Sequence, residues 1–335
     1  MDLGRIAMEQ SSSKKLKIKS IKQAAAEELK YMKMRKEGKI TSLKTRWNKF
    51  NQVSMNGLEW GSITTIAGMS GSGKTAILNE METSLFELNP KEDFAVLSFN
   101  FEMVARRLVG RKISAKLNKT MKQLYSADMM DVHSNITNEE YAEAQKYVES
   151  IENMAVNYVD MPGTTKEIEE AIYAFNEMPE NRYKGVLVTL DHSILVKKMA
   201  QMNQQETLYD LMFRFNRVKK RVKSSFVVVS QLNRTIETVD RIQNTDMHYP
   251  MKTDIFGADA LYQYSDVVLV SHRPEMLGIR EYGPDKLPTK DLIYWHYLKV
   301  RDGDPIIAQM VNNLKHNQVL EVEPKKKVKW STDDF

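Results

Sequence analysis

Gly68-Met69-Ser70-Gly71-Ser72-Gly73-Lys74-Thr75 is the stretch that decides how the rest of the chain is read. It fits the spacing G-x-x-x-x-G-K-[ST] in full. Glycines at these positions let successive backbone N–H groups turn inward around a phosphate. A helix that starts there aims its positive dipole end at the same anion. In this chemistry Lys74 reaches the outer phosphates of ATP, and the Thr75 hydroxyl takes a place on Mg²⁺. The flanks agree with the motif. Residues 63–67 are a short apolar run rich in β-branched side chains, and Ile77, Leu78, Met81 and Leu85 share one helical face. Strand, glycine-rich loop and helix in this order predict an ATP and Mg²⁺ site built from Gly68 to Thr75.

Working outward, five more apolar runs stand at 94–99, 186–190, 226–229, 267–270 and 293–300. Continuous rather than alternating hydrophobicity means burial on both faces, and hence a mostly parallel sheet. Helical patterns fall between the runs. The clearest is Leu208, Leu211, Phe215, Val218 and Val222, at spacings of 3, 4, 3 and 4. The expected fold class is α/β: a P-loop core with a mostly parallel central sheet flanked by helices.

Two carboxylates and an amide stand where this chemistry needs them. Asp191 ends the run 186–190, so a buried strand delivers its carboxylate to the Mg²⁺ shell. Glu102 lies just beyond the run 94–99, and the reading puts it at the end of the strand beside the P-loop strand, where it could polarise a water or serve as an ordinary loop residue. Gln231 follows the run 226–229, where an amide can sense a γ-phosphate. His192, next to Asp191, is expected to fill space or bond backbone.

Composition bounds the remainder. The 335 residues contain no cysteine, which excludes disulfides and thiolate chemistry and fits a reducing compartment. No run approaches the ~18 apolar residues of a membrane span, and the N-terminus lacks a signal-peptide core. The expected location is therefore cytoplasmic, with no membrane partner. The basic run at 325–329 is read as a solvated tail rather than a nuclear-import signal. Residues 1–50 hold 14 Lys/Arg against 5 Asp/Glu, so the rest of a chain with net charge +5 sums to −4. Any polyanion contact of the main domain must then be local. The expected organisation is disorder over 1–13, a basic amphipathic helix over 14–39, the ATPase domain over 40–323 and a flexible tail over 324–335. The helix carries an apolar stripe of Ile21, Ala25, Leu29 and Met32.

Several blocks together carry a resemblance. After the P-loop come residues 98–111 with Phe101-Glu102-Met103, and a Pro162-Gly163-Thr164 turn before a helix. Asp191-His192-Ser193-Ile194 follows, then the block 230–241, the block 257–275 and Lys299-Val300-Arg301-Asp302-Gly303. In order and spacing these blocks resemble the C-terminal ATPase domain of DnaB-type replicative helicases, a branch of the RecA-like fold.

That resemblance implies roles and partners. Glu102 becomes the base that activates water, and Gln231 the γ-phosphate sensor. Lys299 and Arg301 fall where the family places a basic pair that reaches into the neighbouring subunit's ATP site. The protein is expected to form a homo-oligomeric ring, a hexamer, on single-stranded DNA, with primase, a loader or polymerase as further partners. DNA contacts are expected from Lys197 and Lys198 after Asp191, and from Arg234, Arg241 and Lys252 after Gln231. The helix before the ATPase domain is similar to the family's linker helix, which packs on the adjacent subunit. The chain departs from the family at Ile194, where a glutamine is usual. With roughly 40 residues ahead of the ATPase block, the family's primase-docking domain is expected to be missing. Two other readings stay open: a RecA- or KaiC-like DNA-dependent ATPase that does not unwind, and an ATP-assembled adaptor of the replication machinery.

Overall fold

A computed structural model describes residues 18–125 and 136–322. The expected disordered start and flexible tail lie outside these residues. Two compact units are present, one ending at Thr41 and one beginning at Ser42.

The first unit is the helix α1 (Ile21–Lys36). Ser20 caps it in a capping box with Gln23, and Lys33, Arg35 and Lys36 occupy its last turn, where cations suit the helix dipole. The stripe read from the sequence is exposed, with Ile21 at 87% and Leu29 at 67%.

The second unit is an α/β domain. Its strands are β1 (Ile63–Gly68), β2 (Phe94–Asn100), β3 (Val156–Val159), β4 (Gly185–Asp191), β5 (Ser224–Gln231), β6 (Val267–His272), β7 (Glu281–Tyr282), β8 (Leu287–Pro288), β9 (Leu292–Val300), β10 (Ile307–Asn313) and β11 (Gln318–Glu321). Its helices are α2 (Asn48–Val53), α3 (Lys74–Leu88), α4 (Ala105–Leu117), α5 (Met121–Tyr125), α6 (Asn138–Ile151), α7 (Thr165–Glu177), α8 (Gln204–Val218), α9 (Val239–Gln243) and α10 (Ala258–Tyr264). Nine strands form one sheet in the order β11-β10-β9-β6-β1-β5-β4-β2-β3. The six from β6 to β3 are parallel, and β9, β10 and β11 add an antiparallel extension.

The parallel strands are buried on both faces, as their continuous apolar runs require. Along β5, Phe226 and Val228 face one core, with α7, α8 and α10, while Val227 and Val229 face the other, with α3. The predicted stripes are buried: Ile77, Met81 and Leu85 on α3, and Leu208, Leu211, Phe215 and Val218 on α8. Capping boxes start α7 at Thr164 and Glu167, and α8 at Asn203 and Glu206.

One topological expectation is corrected. The strand that leads to Glu102 is not beside the P-loop strand. The neighbours of β1 are β5 and β6, and β4 and β5 stand between β1 and β2. What β2 does border is the Asp191 strand, with Asn100 paired to Asp191, and Phe101 N donates to Asp191 O at 2.9 Å. Glu102 therefore reaches the cleft from beside Asp191.

Candidate nucleotide-binding site

The C-terminal ends of β1, β2, β4, β5 and β6 open on a cleft of about 880 Å³. Ser70, Gly71, Gly73, Lys74, Thr75, Glu102, Asp191, His192 and Gln231 line it. Glycine is required in the loop for steric reasons. A Cβ at Gly68 would meet Ser72 Oγ at 2.3 Å and Ser271 O at 2.5 Å. Gly73 has φ +91°, a conformation that L side chains rarely adopt, and a Cβ there would press on Leu314. Ser271 Oγ donates to Ser72 O at 2.7 Å, which ties the loop to β6.

Lys74 is buried and donates to Gly68 O at 2.8 Å and Met69 O at 2.6 Å. Burial lowers its pKa to about 8, while Asp191 and Glu102 oppose the shift. Thr75 Oγ1 donates to Asp191 Oδ2 at 2.7 Å. Burial raises the Asp191 pKa to about 6, against the Thr75 bond and the Lys74 charge, and with help from the charge of Glu102. Glu102 has a side chain 55% exposed, with Oε2 3.7 Å from His192 Nε2.

His192 stands between two expected site residues. Its Nε2 also lies 3.3 Å from Gln231 Nε2. Burial lowers its pKa, so the ring is neutral and able to accept from the amide. The expectation that His192 fills space or bonds backbone is thus only half met, since its partners are side chains. Glu102, His192 and Gln231 form a row along the cleft wall. Gln231 also begins the neck of the following loop, where its carbonyl accepts from Phe256 N at 2.9 Å and Leu232 pairs with Ile255.

Sequence reasoning missed Arg111, Arg273 and the turn between β10 and β11, with Asn312, Asn313, Leu314 and Lys315, all of which line the cleft. Burial pulls the Arg111 guanidinium below its ordinary value, against the pull of Asp191 and Glu102. Its neighbour Lys112 fixes α4 in place. That buried ammonium pairs with Glu82 Oε2 at 3.1 Å and donates to Asn79 O on α3. Arg111 lies nine residues after Glu102 on the helix that follows it, with Arg106 and Arg107 on the same helix, so the sequence held no signal that singled it out.

Lys299 and Arg301 lie elsewhere. Arg301 Nε pairs with Asp266 Oδ1 at 2.9 Å, beside the first residue of β1. Lys299 Nζ donates to Tyr262 O at 2.6 Å and so caps α10. Of the expected DNA contacts, Lys197, Lys198 and Arg234 are exposed. Lys252 pairs with Asp259 at 3.3 Å over the Tyr262 ring. Arg241 grips Asp254 with both terminal nitrogens, at 3.1 and 3.2 Å, and staples its own loop. No helix among the described residues is long and apolar enough to cross a membrane.

The sheet order and the phosphate-loop geometry are those of the RecA-like class of α/β ATPase domains. Within that class the chain belongs to the DnaB-like helicase family, whose C-terminal domain matches residues 42–313. It is 25% identical over 240 residues to the replicative DNA helicase DnaB of Mycoplasma genitalium, across 70% of this chain and 47% of that protein. The chain thus spans about half the length of this curated relative. Among solved structures it is similar to a chain solved as an ATPase domain, with a TM-score of 0.72, 16% identity and coverage of 92% of this chain and 100% of that one. It is also similar to a DnaB-like replicative helicase described with its interactions with primase, with a TM-score of 0.73, 17% identity and coverage of 92% and 68%.

Proposed function

We propose that the protein is an ATP-driven DNA helicase, which assembles as a homo-oligomeric ring and moves along single-stranded DNA in replication. The observation that carries this reading is the distance between its two halves of catalytic equipment. Lys74, Thr75, Asp191 and Glu102 gather at the C-terminal end of β1. Arg301 is anchored beside Ile63 at the other end. Five residue steps separate the ends, roughly 17 Å of extended chain, more than an arginine side chain spans. This separation supports Arg301 acting at a neighbour's cleft, and head-to-tail contacts of that kind form a ring where the rotation closes.

The residues fit Mg-ATP. The glycine cradle admits phosphate where a Cβ would collide, and Thr75 with Asp191 supplies one hydroxyl and one carboxylate, the sparse protein share that Mg²⁺ takes beside phosphates. When bound, the ion neutralises phosphate charge, and Thr75 and Asp191 hold it. Lys74 turns from its two carbonyls to the outer phosphates. Glu102 accepts the proton of the attacking water. Arg301 of the next subunit stabilises the developing charge. Gln231, bonded to His192, stands at the neck of the loop 232–255 and passes the state of the phosphate to it. Lys197, Lys198 and Arg234 are the exposed cations for a DNA backbone. A groove for single strands needs such local charge, not a basic domain.

A forked duplex incubated with the protein, ATP and Mg²⁺ tests the reading, with mass photometry of the same sample. Strand separation that requires ATP, by particles several times 38.8 kDa, is expected. ATP turnover on single-stranded DNA without strand separation would favour the non-unwinding ATPase instead.

A further inference from the structure

We propose that Asp266 is the positioning residue for Arg301, and that it acts on the neighbouring subunit's ATP site while leaving its own alone. The inference rests on the shared-site reading above. Asp266 stands at the turn between α10 and β6, with its side chain 17% exposed. Its Oδ1 pairs with Arg301 Nε at 2.9 Å, and its carbonyl accepts from Arg301 N at 2.9 Å. Its Oδ2 accepts from Ile63 N at 2.8 Å and from Lys219 Nζ at 3.1 Å. One carboxylate thus joins Arg301 to the first residue of the P-loop strand and to the residue after α8.

The geometry points to orientation as the role. Arg301 has a side chain 54% exposed, so packing alone does not choose its rotamer. Asp266 engages Nε, at the inner edge of the guanidinium. That leaves both terminal nitrogens, the fork that grips phosphate oxygens in pairs, without a partner among the described residues. The ion pair at Nε restricts the guanidinium before it meets a phosphate, and the main-chain bond fixes the point from which the side chain starts. Lys299 has different partners, with its ammonium on the Tyr262 and Gln263 carbonyls of α10.

A residue that merely supported the fold through Ile63 would damage its own P-loop, and this difference makes the test. Asp266→Asn keeps an acceptor for Ile63 N and removes the charge that holds Arg301. It should lower kcat by about 10- to 100-fold, the loss that removing an orienting partner typically brings, with KM for ATP nearly unchanged. Mixed rings then report which site is hit, with steady-state ATPase activity on single-stranded DNA as the readout. Asp266→Asn mixed with Glu102→Gln should partly recover, because some interfaces pair an intact Glu102 with an intact Asp266–Arg301. Asp266→Asn mixed with Arg301→Ala should not recover, because every interface then lacks a working arginine. The reverse pattern, recovery with Arg301→Ala and none with Glu102→Gln, overturns the proposal and makes Asp266 a support of its own loop. Arg301→Ala with Glu102→Gln serves as the control. If it recovers while the Asp266→Asn mixtures show the reverse pattern, the shared site stands and only Asp266 is misassigned. If it stays flat, the shared-site reading fails and takes the proposal with it. Asp266→Glu, which keeps the charge but displaces it by one methylene, should give the same pairing pattern with a smaller loss, and it serves if the asparagine variant folds poorly.

Discussion

Thr75 Oγ1 and Asp191 Oδ2 lie 2.7 Å apart, although 116 residues separate them in the chain. The contact joins the first turn of α3 to the end of β4 across the mouth of the cleft, where we propose that the hydroxyl and the carboxylate hold Mg²⁺. Much of the functional reading follows from what else reaches that point: Lys74 from the loop, and Glu102 from beside Asp191.

The chemistry of the cleft separates binding from hydrolysis. Lys74→Ala should abolish ATP binding or turnover, since no other residue replaces a buried ammonium on the loop. Glu102→Gln should bind ATP as the wild type does and hydrolyse it on the order of 10²–10⁴ times more slowly, because only the proton acceptor is removed. Nucleotide binding by fluorescence titration, beside steady-state turnover, checks both. Wild-type turnover by Glu102→Gln would move the base to another residue.

Two of the expected DNA contacts should now behave differently from each other. Lys197→Ala removes an exposed cation, so it should weaken single-stranded DNA binding and lower the salt slope by about 0.7 per lost phosphate contact. Arg241→Ala breaks a pair with the buried Asp254. It should destabilise the protein by about 3 kcal/mol, in the range for a buried charge left alone. Binding titrations across salt concentrations, with thermal melts, distinguish the two. A pure loss of DNA affinity in Arg241→Ala, with unchanged melting, would return that residue to the DNA surface.

Acid should destabilise the nucleotide-free protein through three buried histidines. His248, His272 and His296 pack together with Tyr249 and Tyr282. Burial lowers all three, His272 well below its ordinary value and His296 to about 3, with Arg241 adding to the effect on His248 and His272. The unfolded chain takes up these protons from about pH 6.5 downward while the fold refuses them. Their contribution is therefore fully present above pH 6.5 and is lost as pH falls toward the folded values, at no more than about 1.4 kcal/mol per pH unit for a histidine that stays neutral in the fold. Asp191, which burial raises to about 6, works in the opposite sense from about pH 6 downward, as does Glu80, which burial also raises, but the histidines outnumber them. Denaturation midpoints should fall between pH 7 and pH 5, and His272→Phe should flatten the slope. Equal midpoints across that range would contradict this account.

The helix α1 offers an exposed stripe of Ile21, Ala25, Leu29 and Met32. Deleting residues 1–38 should weaken ring assembly, as read by sedimentation at matched concentration. Full-sized rings from the deletion variant would assign the helix to another partner.

The legible parts of this molecule were those that backbone physics dictates. Gly68 and Gly73 could be read because only glycine fits there, and β1, β2, β4, β5 and β6 because burial on both faces leaves an uninterrupted apolar run. The strands β10 and β11 went unread. They lie at the sheet edge, where Gln309 is exposed between the buried Ala308 and Met310, and such alternation over a few residues carries little signal. Their turn supplies much of one wall of the cleft. Arg111 was missed because nothing local distinguishes it from Arg106 and Arg107, which are exposed on the same helix. Arg111 lines the cleft on a helix that the buried Lys112–Glu82 pair helps to anchor. The strand order, with β2 beyond β4, could not follow from residues that read alike as apolar runs.

A mixture of two inactive variants tests whether the active site is shared between subunits. Arg301→Ala and Glu102→Gln should each be nearly inactive alone, since an arginine supplied across an interface is worth roughly 10³–10⁵ in rate in related chemistry. Combined in one ring, some interfaces pair an intact Glu102 with an intact Arg301. The ATPase rate on single-stranded DNA, measured against mixing ratio with subunit exchange verified, should then rise above both parents and peak at intermediate ratios. A flat line at the single-variant level, in rings that still tolerate doping with wild type, would contradict the account, because it would mean that Arg301 serves its own subunit.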